Sequence, residues 1–329
     1  MATTKKLKHS EIEAKDRLSD LPESVILHML SFLNAKHAVQ TCVLSTRWKN
    51  LWKLLPVLIF NFTDFQFYKK FMNFIFKVLS LRNSSVTLQA LEYKRDGGQI
   101  DPRLLKNIVN YAISHNVQRL GLCSYTKISQ IPPRMFSCQS LTHLKLCTYP
   151  RKGPETMFPN SFNLPALISL QLQHFVFCLG DNNCAEPFST FNKLNSLLIS
   201  NCYLSGEGTL CISNVTLVDL TLYNEFYRFY TIELCTPSLC TFSFDGTPSQ
   251  KLLGSNVSSL EHVEIYAEVI PHQEEPPLIL FNWLLEFPNI KSLTVSTTTL
   301  QVPCFEAIFY FLLKIPFYLI IFVFYKNIN

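Results

Sequence analysis

Between residues 20 and 56 the apolar positions fall three and four apart. Ile26, Leu27, Leu30 and Leu33 mark one face of a helix within PESVILHMLSFL. Ser19 and Asp20 stand where they can cap it, Pro22 sits where a missing amide donor costs nothing, and Glu23 places charge at the positive helix end. Asn34 ends this helix and opens a second over AKHAVQTCVL, with Val39, Val43 and Leu44 on one side. Ser45 or Thr46 offers a cap for a third, in which Trp48, Leu51, Trp52 and Leu55 recur until Pro56 stops it. Three short helices enclose too little volume to hide so many large side chains, so part of this surface must meet something else.

After Pro56 the pattern changes to strands alternating with longer connections. VLIFNF reads as a strand and FYKKFMNFIFKVLSLR as an amphipathic helix burying Phe71, Phe74, Ile75, Val78 and Leu79. VTLQALEY is a second strand, and Asp101 with Pro102 starts a helix reaching about His115. From Val117 the phrase L-x-x-L-x-L then returns eight times: VQRLGL, LTHLKL, LISLQL, LNSLLI, LVDLTL, LCTFSF, LEHVEI and IKSLTV. Successive starts lie 21 to 30 residues apart, the period of a leucine-rich solenoid whose units bury their apolar edges only by stacking. The expected fold class is α+β: a short all-α head followed by an α/β solenoid with a parallel inner sheet.

Within each phrase the first, fourth and sixth residues should point inward, and the third, fifth and seventh toward the open face. That rule nominates Arg119, Lys145, Gln171, Asp219, Thr221, Tyr223, Asp245 and Glu264 as candidate binding residues. The early strands are basic and the later ones acidic. Cys123 and Cys147 also face outward, whereas Cys202 falls where the repeat expects a small buried residue after its strand.

Composition limits the chemistry. Charged residues are 16% of the chain and hydrophobic ones 48%, against roughly 25% charged in ordinary soluble proteins, so most positions must be enclosed or matched to partners. Lys5, Lys6 and Lys8 account for part of the net charge of +5; their segment lacks an apolar stretch and reads as a solvated tail or a nuclear address, not a signal peptide. Eleven scattered cysteines suit a reducing compartment better than a disulfide framework, which points to the cytoplasm or nucleus. Four Asn-x-Ser/Thr sequons, at Asn61, Asn83, Asn214 and Asn256, then read as chance matches.

Neither C-x-x-C nor H-E-x-x-H occurs; Cys178 to Cys184 and Cys235 to Cys240 are the nearest cysteine spacings, and no metal site is expected. Nine glycines provide no phosphate-cradling loop, Gly97-Gly98 being a turn, so no cofactor is expected. Asp219, Asp245 and Glu264 belong to different repeats with nothing to fix their separation, so they read as a solvated or partner-facing rim and not as an acid/base set. Arg47, Lys49 and Lys53 could imitate the reading helix of a helix-turn-helix, but Asp16, Asp20 and Glu23 and the apolar bulk oppose a phosphate-facing surface. No nucleic-acid partner is expected.

The head DRLSDLPESVILHMLSFLNAKHAVQTCVLSTRWKNLW resembles an F-box, and its Leu-Pro start, Val-Leu-Ser-x-Arg-Trp turn and Leu-Trp end resemble those of plant F-box proteins with leucine-rich repeats. The resemblance implies a non-catalytic substrate-receptor subunit: the F-box docks a Skp-type adaptor, and through it a cullin ubiquitin ligase, while the repeats hold the protein to be ubiquitylated. By matching position, Leu21, Pro22, Ile26, Leu30, Val43, Leu44, Trp48, Leu51 and Trp52 would form or support the docking surface, and the eight open-face residues above would meet substrate. Each of these apolar residues could equally serve the head's own core, and Trp52 could seal the junction with the repeats. A repeat protein that binds partners without a ligase role is the alternative.

The expected layout is a disordered basic tail at 1–15, the F-box at 16–56, the solenoid at 57–304 and an atypical apolar tail at 305–329. After Ala307 that tail is nearly all Phe, Tyr, Ile, Leu, Lys and Asn, the residues of A- and T-rich codons, as translation of an unspliced or shifted stretch would give. A buried final cap is a second reading. A membrane anchor is the least favoured, because Lys314 and Pro316 leave only IPFYLIIFVFY uninterrupted, short of the roughly 20 residues a span requires.

Overall fold

The structure, a computed structural model, describes residues 18 to 323 apart from 19, 126–129, 150–155, 160–163, 226–229, 268–274, 288 and 297–318. The expected basic tail at 1–15 and most of the apolar tail lie outside the described residues.

In the head, α1 spans Glu23–Ser31 and α2 spans Ala35–Gln40. Pro22 precedes α1 without a side-chain cap, while the Asn34 side chain accepts a 2.9 Å hydrogen bond from the His37 amide as the sequence anticipates. The third segment, Trp48–Leu54, is a 3₁₀ helix rather than an α-helix, and no side chain caps it. Trp48, Leu51 and Trp52 of this segment, and Leu55 just past it, are all buried.

Eleven parallel strands follow in chain order as one sheet: β1 Val57–Asn61, β2 Ala90–Gln99, β3 Arg119–Tyr125, β4 His143–Cys147, β5 Ser169–Gln173, β6 Ser196–Ser200, β7 Asp219–Asn224, β8 Thr241–Gly246, β9 His262–Ala267, β10 Ser292–Ser296 and β11 Leu319–Val323. Each of the eight repeated phrases becomes one strand, β3 to β10. All of their first, fourth and sixth residues are buried, from Val117, Leu120 and Leu122 to Ile290, Leu293 and Val295. At the start of each strand one carbonyl of the preceding unit accepts two amides; Gln118, for example, takes 2.9 Å bonds from both Thr142 and His143. β11 falls within the expected atypical tail and pairs in parallel with β10, Ser292 opposite Leu319.

The outer layer changes along the chain. Helices α3 (Tyr68–Leu81) and α4 (Pro102–Ser114) back the first strands, short parallel strands between Met157 and Asn256 back the middle, and α5 (Glu275–Leu285) backs the end. Asp101 caps α4 by accepting from the Arg103 and Leu104 amides. Trp283 of α5 is buried, donates its indole N–H to the Gln250 carbonyl at 2.9 Å and packs edge-on to Phe244. Two of the outer strands are joined by a disulfide between Cys184 and Cys211, the one disulfide among the described residues. Gly246, at φ 116°, closes β8; a Cβ there would lie 2.1 Å from the Asn224 carbonyl oxygen, so the turn requires glycine.

One continuous apolar core runs from Ile26 and Leu30 in the head to Leu293 and Val295 in the last repeats. The head and the solenoid are therefore fused rather than tethered. Arg82, at the end of α3, is 5% exposed and donates twice to the Leu55 carbonyl, at 2.9 and 3.0 Å, and once to that of Val86 at 2.9 Å. Asn34 also donates to Asp64 at 2.9 Å across the same junction.

Candidate protein-interaction surfaces

Nine head residues were nominated for docking, and the structure separates them. Ile26, Leu30, Trp48, Leu51 and Trp52 are buried, Leu21 is half-buried, and Pro22, Val43 and Leu44 are exposed. The five buried side chains cannot offer surface to a partner; they fix the positions of their neighbours from beneath. The tryptophan pair thus faces the core that the head shares with the repeats, which supplies the enclosure three short helices lacked.

The residues that do present apolar surface include three that the sequence reading passed over. Val25, Met29 and Phe32 lie four and three residues apart, on one side of α1 and just past its end, with exposures of 41%, 41% and 75%. Leu18 is 50% exposed, Leu44 59% and Val43 83%. Among the described residues, six of the twelve exposed large hydrophobic side chains fall between Leu18 and Leu44. Single exposed leucines need no explanation, but this concentration does. The missed signal was in the sequence: VILHML is apolar on both sides of the helix, more than one buried face can use.

On the inner sheet all eight nominated open-face residues fall on the side opposite the core, exposed or half-buried. Register sorts them into rows. Arg119 and Asp219 share a row with His143, Ser169, Ser196, Thr241 and His262; Lys145, Gln171, Thr221 and Glu264 form the next; Tyr223 and Asp245 are direct partners in the third. Lys145 and Gln171 are direct partners too, whereas five strand spacings, about 24 Å, separate Lys145 from Glu264. The nominated residues therefore line a long face and do not converge on one point, as an extended protein surface requires and a small-molecule pocket does not. Glu92 and Lys94 of β2 extend the second and third rows, opposite Gly121 and Cys123. They were missed because VTLQALEY lacks the repeat phrase.

Hydrogen bonds tie parts of this face together. Ser243 donates to Glu264 at 3.0 Å, and the Tyr223 hydroxyl donates to Glu225 at 2.5 Å. Cys202 is buried behind the sheet as the repeat demands, where its sulfur accepts from the Phe175 amide; burial pushes its thiol up to about 12. The Asn214 sequon is buried, and its amide nitrogen donates to Phe188 and Phe191 carbonyls, which leaves no atom free for a glycan. Among the described residues, Cys240, Glu261 and His262 are the one group of at least three metal-ligand side chains drawn together, within 4.8 Å, and Glu261 is already held 2.5 Å from Lys291. No helix among the described residues is long and apolar enough to cross a membrane.

A helical head with a dense apolar surface, fused to a parallel solenoid built on L-x-x-L-x-L strands, defines an F-box joined to leucine-rich repeats. Residues 18–60 match the F-box domain family. Over 308 residues the chain is 33% identical to F-box/LRR-repeat protein 13 of Arabidopsis thaliana, covering 87% of this chain and 66% of that protein. It is also 27% identical over 316 residues to a putative F-box/FBD/LRR-repeat protein of the same plant, covering 87% of this chain and 65% of the relative. A putative F-box/LRR-repeat protein, 27% identical, is covered over 49% of its length. The chain thus spans between about half and two thirds of the length of these three relatives. It is a homologue of the plant F-box proteins with leucine-rich repeats.

Proposed function

We propose that the protein is the substrate-receptor subunit of a Skp-cullin-F-box ubiquitin ligase, acting by position and not by chemistry. The head docks a Skp-type adaptor through Pro22, Val25, Met29, Phe32, Val43 and Leu44, held in place by the buried Ile26, Leu30, Trp48, Leu51 and Trp52. The open face of the sheet holds the protein to be ubiquitylated, its Arg119 and Lys145 meeting acidic groups and its Asp219, Asp245 and Glu264 basic ones. Bringing a substrate lysine near a charged enzyme raises its effective concentration, which supplies the rate advantage without a catalytic residue on this chain. The cytoplasm and nucleus are the compartments that suit this role.

The observation that carries the reading is the concentration of exposed apolar side chains on the head of a chain whose repeat phrases bury their first, fourth and sixth residues. The test is binding of the full chain to a purified Skp-type adaptor, comparing the native protein with Phe32→Asp and Val43→Asp. Saturable binding, weakened in both variants, is the expected outcome. No binding by the folded native chain would leave a repeat protein that captures partners without a ligase.

A further inference from the structure

β3 and β4 place two cysteines side by side on the open face. Cys123 and Cys147 are direct partners in the parallel register, and their sulfurs lie 2.6 Å apart. That is closer than two unbonded sulfurs pack comfortably, and a small approach would reach the 2.05 Å of a covalent bond. The surroundings favour a thiolate at Cys123 and not at Cys147, whose thiol is pushed up by its hydrogen bond with Cys123 and by burial. Lys94 is the cross-strand partner of Cys123 on its other side, and Lys145 stands two residues before Cys147 on the same face. The contact with Cys147 holds the Cys123 thiol below its ordinary range; burial and Glu92 oppose this, and the two lysines assist it.

Access is narrow. Cys123 is 8% exposed and Cys147 3%, and the Tyr149 hydroxyl, hydrogen-bonded to Asp96, lies close by. A small neutral oxidant can enter where a peptide disulfide cannot. Neither the core nor the repeat pattern requires sulfur here, since the same row continues with Gln173, Ser200 and Tyr223.

We propose that Cys123 and Cys147 are a dithiol oxidised by hydrogen peroxide to a disulfide that bridges β3 and β4 on the open face. The Cys123 thiolate attacks one peroxide oxygen, the O–O bond breaks, and hydroxide takes a proton to leave as water, giving a sulfenic acid. The Cys147 sulfur then attacks the Cys123 sulfur, the S–O bond breaks, and the hydroxyl leaves with the Cys147 proton as a second water. Two thiols lose two electrons together and one peroxide gains them. The bond replaces two S–H groups between Lys94 and Lys145 and cross-links the basic end of the face. This site does not depend on the ligase reading.

The test is peroxide titration of the reduced full chain, followed by alkylation of remaining thiols and peptide mass spectrometry. Cys123 and Cys147 should lose alkylation together at about tenfold lower peroxide than Cys42, Cys178 and Cys240, with a Cys123–Cys147 cross-linked peptide appearing in step. In Cys147→Ser, dimedone should label Cys123 and the cross-link should vanish. Oxidation of the more exposed thiols first, with Cys123 and Cys147 still open to alkylation, would overturn the proposal. So would a cross-link from either residue to any other cysteine in the folded native chain.

Discussion

Along α1 the buried Ile26 and Leu30 sit beside the exposed Val25 and Met29, whereas along β7 the buried Leu220 and Leu222 alternate with Asp219, Thr221 and Tyr223. The two regions use apolar residues differently. In the repeats the first, fourth and sixth residues of every phrase are interior and recognition is left to the residues between. In the head the pattern that carries the family resemblance is split between interior and surface, so resemblance alone does not say which residues touch a partner.

The largest test of that contrast is Trp48→Ala. Emptying a buried tryptophan site should cost about 3–5 kcal/mol in denaturant unfolding. Because the core is continuous, head and repeats should unfold in one weakened transition. A separate early transition of the head, with the repeats unaffected, would mean that the shared core carries no energetic weight.

Arg82→Met sharpens the same point at the junction. It leaves the Leu55 and Val86 carbonyls without their buried donor and should cost about 3 kcal/mol, read by thermal or denaturant unfolding. A neutral effect would show that water replaces the guanidinium there.

Surface variants should act the opposite way. Phe32→Asp or Val43→Asp should change stability by under about 0.5 kcal/mol and weaken adaptor binding by about 2 kcal/mol, near thirtyfold, in a titration. Equal losses from a polar swap on the repeat face would erase the distinction between the two regions.

The smallest effect concerns a cap. Asp101→Ala should cost about 1 kcal/mol through α4. Burial opposes ionisation of Asp101, but hydrogen bonds from Arg103 and Leu104 outweigh it and hold the carboxyl below its usual range. The folded value is the lower one, so its contribution is full above the unfolded carboxylate range and fades as pH falls through the folded value. Asp101→Asn should keep most of the cap and lose that acid-range dependence in unfolding measured against pH.

Much of the molecule is legible in its sequence. The repeat phrase located eight strands and their buried positions, because period-two alternation and unit stacking leave one arrangement that hides the first, fourth and sixth residues of every phrase. Asn34 and Asp101 were readable as caps because their hydrogen bonds reach only two or three residues. β2 and β11 were not readable as members of the same sheet, since neither carries the phrase and only their neighbours recruit them. The 3₁₀ form of the third segment was not readable either, since Trp48, Leu51, Trp52 and Leu55 recur at the spacing of an α-helical face.

The sequence by itself determined the architecture, the order of units and the family, since each rests on periodicity or motif that local chemistry enforces. Only the tertiary structure decided which head residues face water, that the tryptophans are packing, and that Cys123 lies against Cys147. The cysteine pair joins residues 24 positions apart across two strands, and no local pattern encodes which side of a helix the rest of the chain will cover.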